Sequence, residues 1–165
     1  MSRITLDVMV EAGDWETAGD IAGLAQRAAD AAVAAAPDAP DGPLAATLLL
    51  SDDAAIRVLN RDWRGLDKAT NVLSFPSGAP AIPGEPRHLG DIAIAYETLV
   101  REAGEETKTV SDHAAHLVVH GVMHLLGHDH LDDDEADAME SREVAALASL
   151  GIADPYADLD LDRDR

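Results

Sequence analysis

Six of the seven histidines lie between residues 113 and 130: His113, His116, His120, His124, His128 and His130. Neutral imidazole is the commonest side-chain ligand for zinc and similar divalent ions. A helix turns ~100° per residue, so His113, His116, His120 and His124 fall within about 80° of one another on one face. His120 and His124 are four apart, and their rings can converge on one ion at ~2.0–2.1 Å from each nitrogen. Gly127 is a natural helix stop, because glycine tolerates the left-handed conformation that follows a last turn. A chain reversal there brings His130 back beside His124. Three imidazoles leave one position for water, the pattern of a catalytic rather than a structural zinc.

His116 and His120 share the same spacing, so spacing alone does not choose the pair. A ligand arriving after Gly127 reaches the end of the helix more easily than its middle, which selects His120, His124 and His130. His116 is then a buried or orienting histidine, His113 lies further out, and His128 points away from His130 if the turn is extended. Gly121 stands where zinc peptidases of the His-Glu-x-x-His type carry their general-base glutamate. Any base must come from elsewhere, or a zinc-bound hydroxide must act without one. Asp129 can orient a ligand ring or close an Asx turn.

The elements that must position these groups are readable in outline. Residues 3–10 form a β-branched strand, and residues 15–36, Ala-rich and without proline, a helix. Pro37, Pro40 and Pro43 end that helix in a loop. A second strand covers residues 44–50, and Asp52 and Asp53 cap a helix running through about Asn60. Strands at 71–75 and 89–95 flank a loop holding Pro76, Pro80, Pro83 and Pro86. Helices are expected at about 96–104, 109–126 and 132–150. The fold class is α+β: a small mixed four-stranded sheet packed with about five helices, one of them a zincin-like metal-site helix. Residues 1–153 read as a single domain and residues 154–165 as an acidic, flexible tail.

The chain of 165 residues has no cysteine, which excludes disulfides, thiolate zinc fingers, iron–sulfur clusters and a cysteine nucleophile. No apolar run approaches the ~18 residues of a membrane span, and the first residues lack a signal core, so no membrane association and no secretion are expected. The net charge of −20 is unevenly spread. Residues 51–101 hold 7 acids and 6 of the 12 bases, whereas residues 129–165 hold 13 acids and 3 bases. A local phosphate-binding face is compatible with that distribution; a broad basic footprint is not.

The segment His120-Gly121-Val122-Met123-His124-Leu125-Leu126-Gly127-His128-Asp129-His130 resembles the signature of the YbeY family of bacterial zinc-dependent endoribonucleases. His128 is a departure, since an aromatic residue is usual there. Leu59 to Pro76 resembles a second family block, with Ala69 where proline is common. Leu89-Gly90-Asp91-Ile92 is similar to a third, and Met139 and Leu150-Gly151-Ile152 fit the terminal helix. The blocks span roughly residues 48–156. The resemblance implies a cytoplasmic, single-strand-specific endoribonuclease. It would mature ribosomal RNA at the small-subunit 3′ end and take part in ribosome quality control. One zinc on His120, His124 and His130 is implied, as are the small ribosomal subunit and an assembly GTPase as partners.

Cleavage of a phosphodiester develops charge that a guanidinium can hold bidentately. Arg64, which matches an arginine position of the second block, is the expected catalytic cation; the alternative is an ion pair with Asp62 or Asp67. Arg61 and Lys68 can add phosphate contacts or remain solvated. Ser74 is expected in a cleft wall. Phe75 can stack on a base but fits a core aromatic better. Asp91 either orients a ligand or lines the cleft, or it belongs to a strand-start turn. Two other functions compete. A zincin-like metallopeptidase is disfavoured by Gly121. A non-catalytic assembly factor with a structural zinc is disfavoured by the vacant fourth position.

Overall fold

The computed structural model describes residues 3–78, 80, 82–127 and 133–156. Strand β1 (Ile4–Val10) is followed by a 3-10 turn (Trp15–Ala18), helix α1 (Ile21–Ala35), strand β2 (Leu44–Ser51) and helix α2 (Asp53–Arg64). Strands β3 (Val72–Pro76) and β4 (Arg87–Ala95) come next, then helices α3 (Tyr96–Glu105), α4 (Val110–Leu125) and α5 (Asp133–Ser149). The sheet order is β1-β2-β4-β3. β1, β2 and β4 are mutually parallel, and β3 closes the edge antiparallel to β4. Among the described residues this is the expected α+β architecture of a mixed four-stranded sheet with five helices.

Side-chain oxygens set the helix starts. Asp52 accepts from the Ala55 amide at 2.9 Å and Thr109 from the Asp112 amide at 3.0 Å, each satisfying an orphan donor of a first turn. Gly65, at φ 71°, stops α2, and Gly127, at φ 95°, follows α4 as the sequence requires. The helix expected over 15–36 is broken. Gly19 turns at φ 79° and Asp20 caps a new start through the Gly23 amide at 3.1 Å, so the alanine-rich stretch begins its regular helix only at Ile21.

The larger core lies between the sheet and α1, α4 and α5, where Leu48, Leu50, Ile92 and Ile94 meet Ala25, Ala29, Val119 and Met123. The small side chains of α1 let helices approach closely. A second cluster of Ile56, Leu73, Ala93 and Ala95 sits on the opposite face beneath α2. The β2–β4 register shifts between Ala45 and Thr47. Gly90 absorbs the shift at φ 144°, a position where a Cβ would strike the carbonyl oxygen of Phe75. The bulge lets Leu89 and Ile92 both face the larger core.

The first residues of the stretch expected as a flexible tail, 154–165, are engaged with the domain. Pro155 is buried, and the Tyr156 hydroxyl lies 2.8 Å from Glu143 on α5. Residues 157–165 lie outside the described residues.

α4 presses against β4 at Gly121, where a built Cβ would stand 2.8 Å from Cγ2 of the buried Ile92. Gly121→Ala is therefore expected to lower stability by about 1–3 kcal/mol through overpacking. Combined with Ile92→Ala, it should cost less than the sum of the two single changes. Urea unfolding of the four proteins checks both points; an unchanged midpoint for Gly121→Ala would show that the helix has slack here.

Candidate active site

Helix α4 delivers the histidines. Nε2 of His124 lies 3.0 Å from Nε2 of His120. Two nitrogens bound tetrahedrally to one zinc at ~2.0–2.1 Å stand roughly 3.3 Å apart, so the pair already converges to within a few tenths of an ångström of ligand spacing. The donor set suits a borderline-soft divalent ion. Among the described residues no third His, Asp or Glu completes a metal-holding group. His130, expected as the third ligand, lies outside the described residues, as do His128 and Asp129.

Behind the pair stands a residue that the sequence reading missed. Glu143 of α5 is 0% exposed, and its Oε1 accepts a hydrogen bond from Nδ1 of His120 at 2.8 Å. The Tyr156 hydroxyl donates to Oε2 at 2.8 Å, and Nε2 of His116 approaches Oε1 at 3.4 Å. Burial alone would raise this carboxyl's pKa. The hydrogen bonds from His116 and His120 outweigh it and hold the group at about 2. Burial first, and then the Glu143 charge, push the Tyr156 phenol far above its ordinary value. Tyr156 therefore stays a donor and Glu143 an acceptor. With Nδ1 of His120 donating to the carboxylate, its Nε2 presents a lone pair toward His124.

A faint signal for Glu143 does exist in the sequence. It shares a helical stripe with the buried Met139, Ala146 and Leu147, so it is an acid set among apolar neighbours. That marks burial without naming a partner 23 residues away.

His116 turns toward Tyr156 and Glu143, its Nε2 3.1 Å from the Tyr156 hydroxyl. His113 lies beyond His116 from the His120–His124 pair and is buried. Its Nε2 is 2.9 Å from Oε1 of Glu102, which also accepts from Nδ2 of Asn71 at 3.0 Å. These residues line a side pocket of about 200 Å³ that shares Asn71, Val72 and His120 with the main cleft.

The main cleft, of about 650 Å³, runs between edge strand β3 and α4. Arg64, Thr70, Asn71 and Ser74 face His120 and His124 across it. Arg64 forms no ion pair among the described residues, because Asp67 is taken by Arg57 at 2.7 Å and Asp62 by Arg61 at 3.1 Å. Arg61 is thus engaged at the surface and does not join the cleft. Ser74 is in the wall as expected, with Oγ donating to the Gly121 carbonyl at 3.3 Å.

Asp91 does not line the cleft. The bulge at Gly90 sends it to the sheet face opposite α4, near His88 at 4.0 Å. Phe75 belongs to the second cluster as a half-buried aromatic. Position 121 faces Ile92 rather than the cleft, so the place of the peptidase glutamate offers no room for a base.

A family model described as "Endoribonuclease YbeY" matches residues 14–151. A protein named "Endoribonuclease YbeY" from Rhizobium meliloti (strain 1021) is 45% identical over 165 residues, covering 96% of this chain and 98% of its own. A relative of the same name from Paramagnetospirillum magneticum is 54% identical over 121 residues, covering 71% and 74%. The solution structure of TM1509 from Thermotoga maritima shares the fold, with a TM-score of 0.54 at 20% identity over 88% of this chain and 91% of that one. The chain belongs to the endoribonuclease YbeY family.

Glu143→Ala leaves donors on His120 and Tyr156 without an acceptor in a closed space, and is expected to cost about 1–3 kcal/mol. Tyr156→Phe should cost roughly 1 kcal/mol, and the double variant little more than Glu143→Ala alone, because both changes break one network. Thermal and denaturant unfolding of the set measures the coupling; strictly additive losses would mean that Tyr156 and Glu143 act separately.

Proposed function

We propose that this family member is a zinc-dependent, single-strand-specific endoribonuclease. In this reading it acts in the cytoplasm on ribosomal RNA, at the small-subunit 3′ end and in ribosome quality control. Its partners would be the small ribosomal subunit and an assembly GTPase. Relatives named for endoribonuclease activity over nearly the whole chain support the reaction class. The observation that carries the metal assignment is the convergence of His120 Nε2 and His124 Nε2 at 3.0 Å in the cleft that also holds Arg64. His130 would supply the third nitrogen.

Bound there, zinc would polarise a phosphoryl oxygen and make a bound water acidic enough to act near neutral pH. The protein's own groups do the rest. Arg64 binds the non-bridging oxygens of the scissile phosphate, and its planar fork suits two of them at once. Asn71, Thr70 and Ser74 present polar atoms along the opposite wall and hold the strand in line. The buried Glu143 carboxylate fixes His120 in the tautomer that presents Nε2. A cleft between an edge strand and one helix admits a single strand, whose bases can splay, more readily than a stiff duplex. No helix among the described residues is long and apolar enough to cross a membrane.

Alanine at His120, His124 or His130 should abolish both bound zinc and RNA cleavage, read by metal analysis and by a labelled single-stranded RNA. Arg64→Ala should keep the zinc yet lower kcat by about 10²–10³-fold, with Arg64→Lys recovering only part. Cleavage that survives in a metal-free triple histidine variant would overturn the zinc assignment. Chelator-sensitive peptide hydrolysis without RNA cleavage would overturn the substrate class.

A further inference from the structure

Trp63, in the last turn of α2, is 73% exposed, whereas the other tryptophan, Trp15, is 2% exposed in the core. A large aromatic surface left in water beside a cleft invites a ligand. The ring is nonetheless held: it meets Phe75 edge to face, with centroids 6.2 Å apart and planes at 63°. Its neighbour Arg64 lines the main cleft. Phe75 lies between Ser74 and Pro76, which line the same cleft. Trp63 itself is not part of the cleft lining; it stands at the rim, next to Arg64 at the end of α2 and against Phe75, whose ring belongs to the cluster on the sheet face opposite α4.

From this placement we infer that Trp63 is a stacking platform for an unpaired RNA base next to the nucleotide whose phosphate Arg64 holds. The inference rests on the endoribonuclease reading and adds a substrate-binding subsite to it. Charge at this end of α2 favours RNA through Arg64: Arg57 and Arg61 are paired with Asp67 and Asp62, and Arg64 faces the cleft in the near-neutral third of a chain whose net charge is −20. A chain so acidic cannot draw affinity from a long basic groove. Stacking carries no charge, is insensitive to that repulsion, and accepts any base through its π-face. It also discriminates by strandedness, because a base paired in a duplex is already stacked on its neighbours and offers only an edge.

The tryptophan count makes the test direct, since the buried Trp15 is shielded and Trp63 supplies the solvent-accessible emission. Metal-free protein, which cannot cleave by the proposed chemistry, is titrated with a short adenylate oligoribonucleotide. Binding is followed independently by anisotropy of a labelled strand. Saturable quenching of the exposed tryptophan is expected, and much weaker quenching by the same strand in a duplex. Trp63→Ala should weaken binding about tenfold, Trp63→Tyr should restore most of it, and in the zinc-loaded protein the loss should fall mainly on KM.

If anisotropy reports saturation while Trp63 emission is unchanged, or if Trp63→Ala binds as tightly as the unaltered protein, the platform is rejected. The wild-type quenching decides the matter even if the alanine variant folds poorly. Quenching by RNA without cleavage by the zinc-loaded protein supports the platform while rejecting the nuclease reading alone; cleavage without quenching does the reverse.

Discussion

The buried carboxylate of Glu143 is the interaction on which the site depends. A charge in a closed, low-dielectric space costs several kcal/mol unless donors surround it. Here His120, Tyr156 and His116 all point at it, from α4 and from the segment after α5. The same contacts that make the charge tolerable orient the imidazole that faces the cleft. Moving α5 relative to α4 would therefore strand a charge and rotate His120 together, which ties the geometry of the site to the packing of the core.

That packing is itself set by close approaches. At Gly121 the helix lies against Ile92, and at Gly90 the edge strand crosses over a bulge. Together they bring β3 and α4 to opposite sides of one cleft. Polar atoms of Asn71, Thr70 and Ser74 then face His120 and His124 across a space about 650 Å³ in volume. The bulge also explains why Asp91, two residues after Leu89 of the larger core, serves the other face of the sheet: one extra residue exchanges inside and outside.

Electrostatics divide the molecule by task. Acids are concentrated in the sequence from residue 129 onward, a charge distribution unfavourable to a polyanion. The near-neutral middle third carries the cleft wall and Arg64. Arg57 and Arg61 are neutralised by Asp67 and Asp62, so Arg64 stands apart as the cation of that helix end that faces the cleft. A polyanion drawn to so acidic a protein must meet a small, specific contact surface rather than a broad attractive field.

Local chemistry made much of this legible from residue order alone. Caps, glycine stops and β-branched runs depend on neighbours within a few positions. The strands, the α4 span with its turn at Gly127 and the facing of His120 with His124 were accordingly readable, as was the family signature. The segment over 15–36 misled because the alanines after Ile21 outweighed Gly19 and Asp20, a poor helix former and a capping residue that together restart the helix. What only the tertiary structure decided are relations across distance. Glu143 reaches His120 from another helix, Tyr156 returns from beyond α5, and Asp62 and Asp67 choose Arg61 and Arg57 over Arg64. A sequence records which groups can bond, but their partners are selected by the packing that excludes every other arrangement.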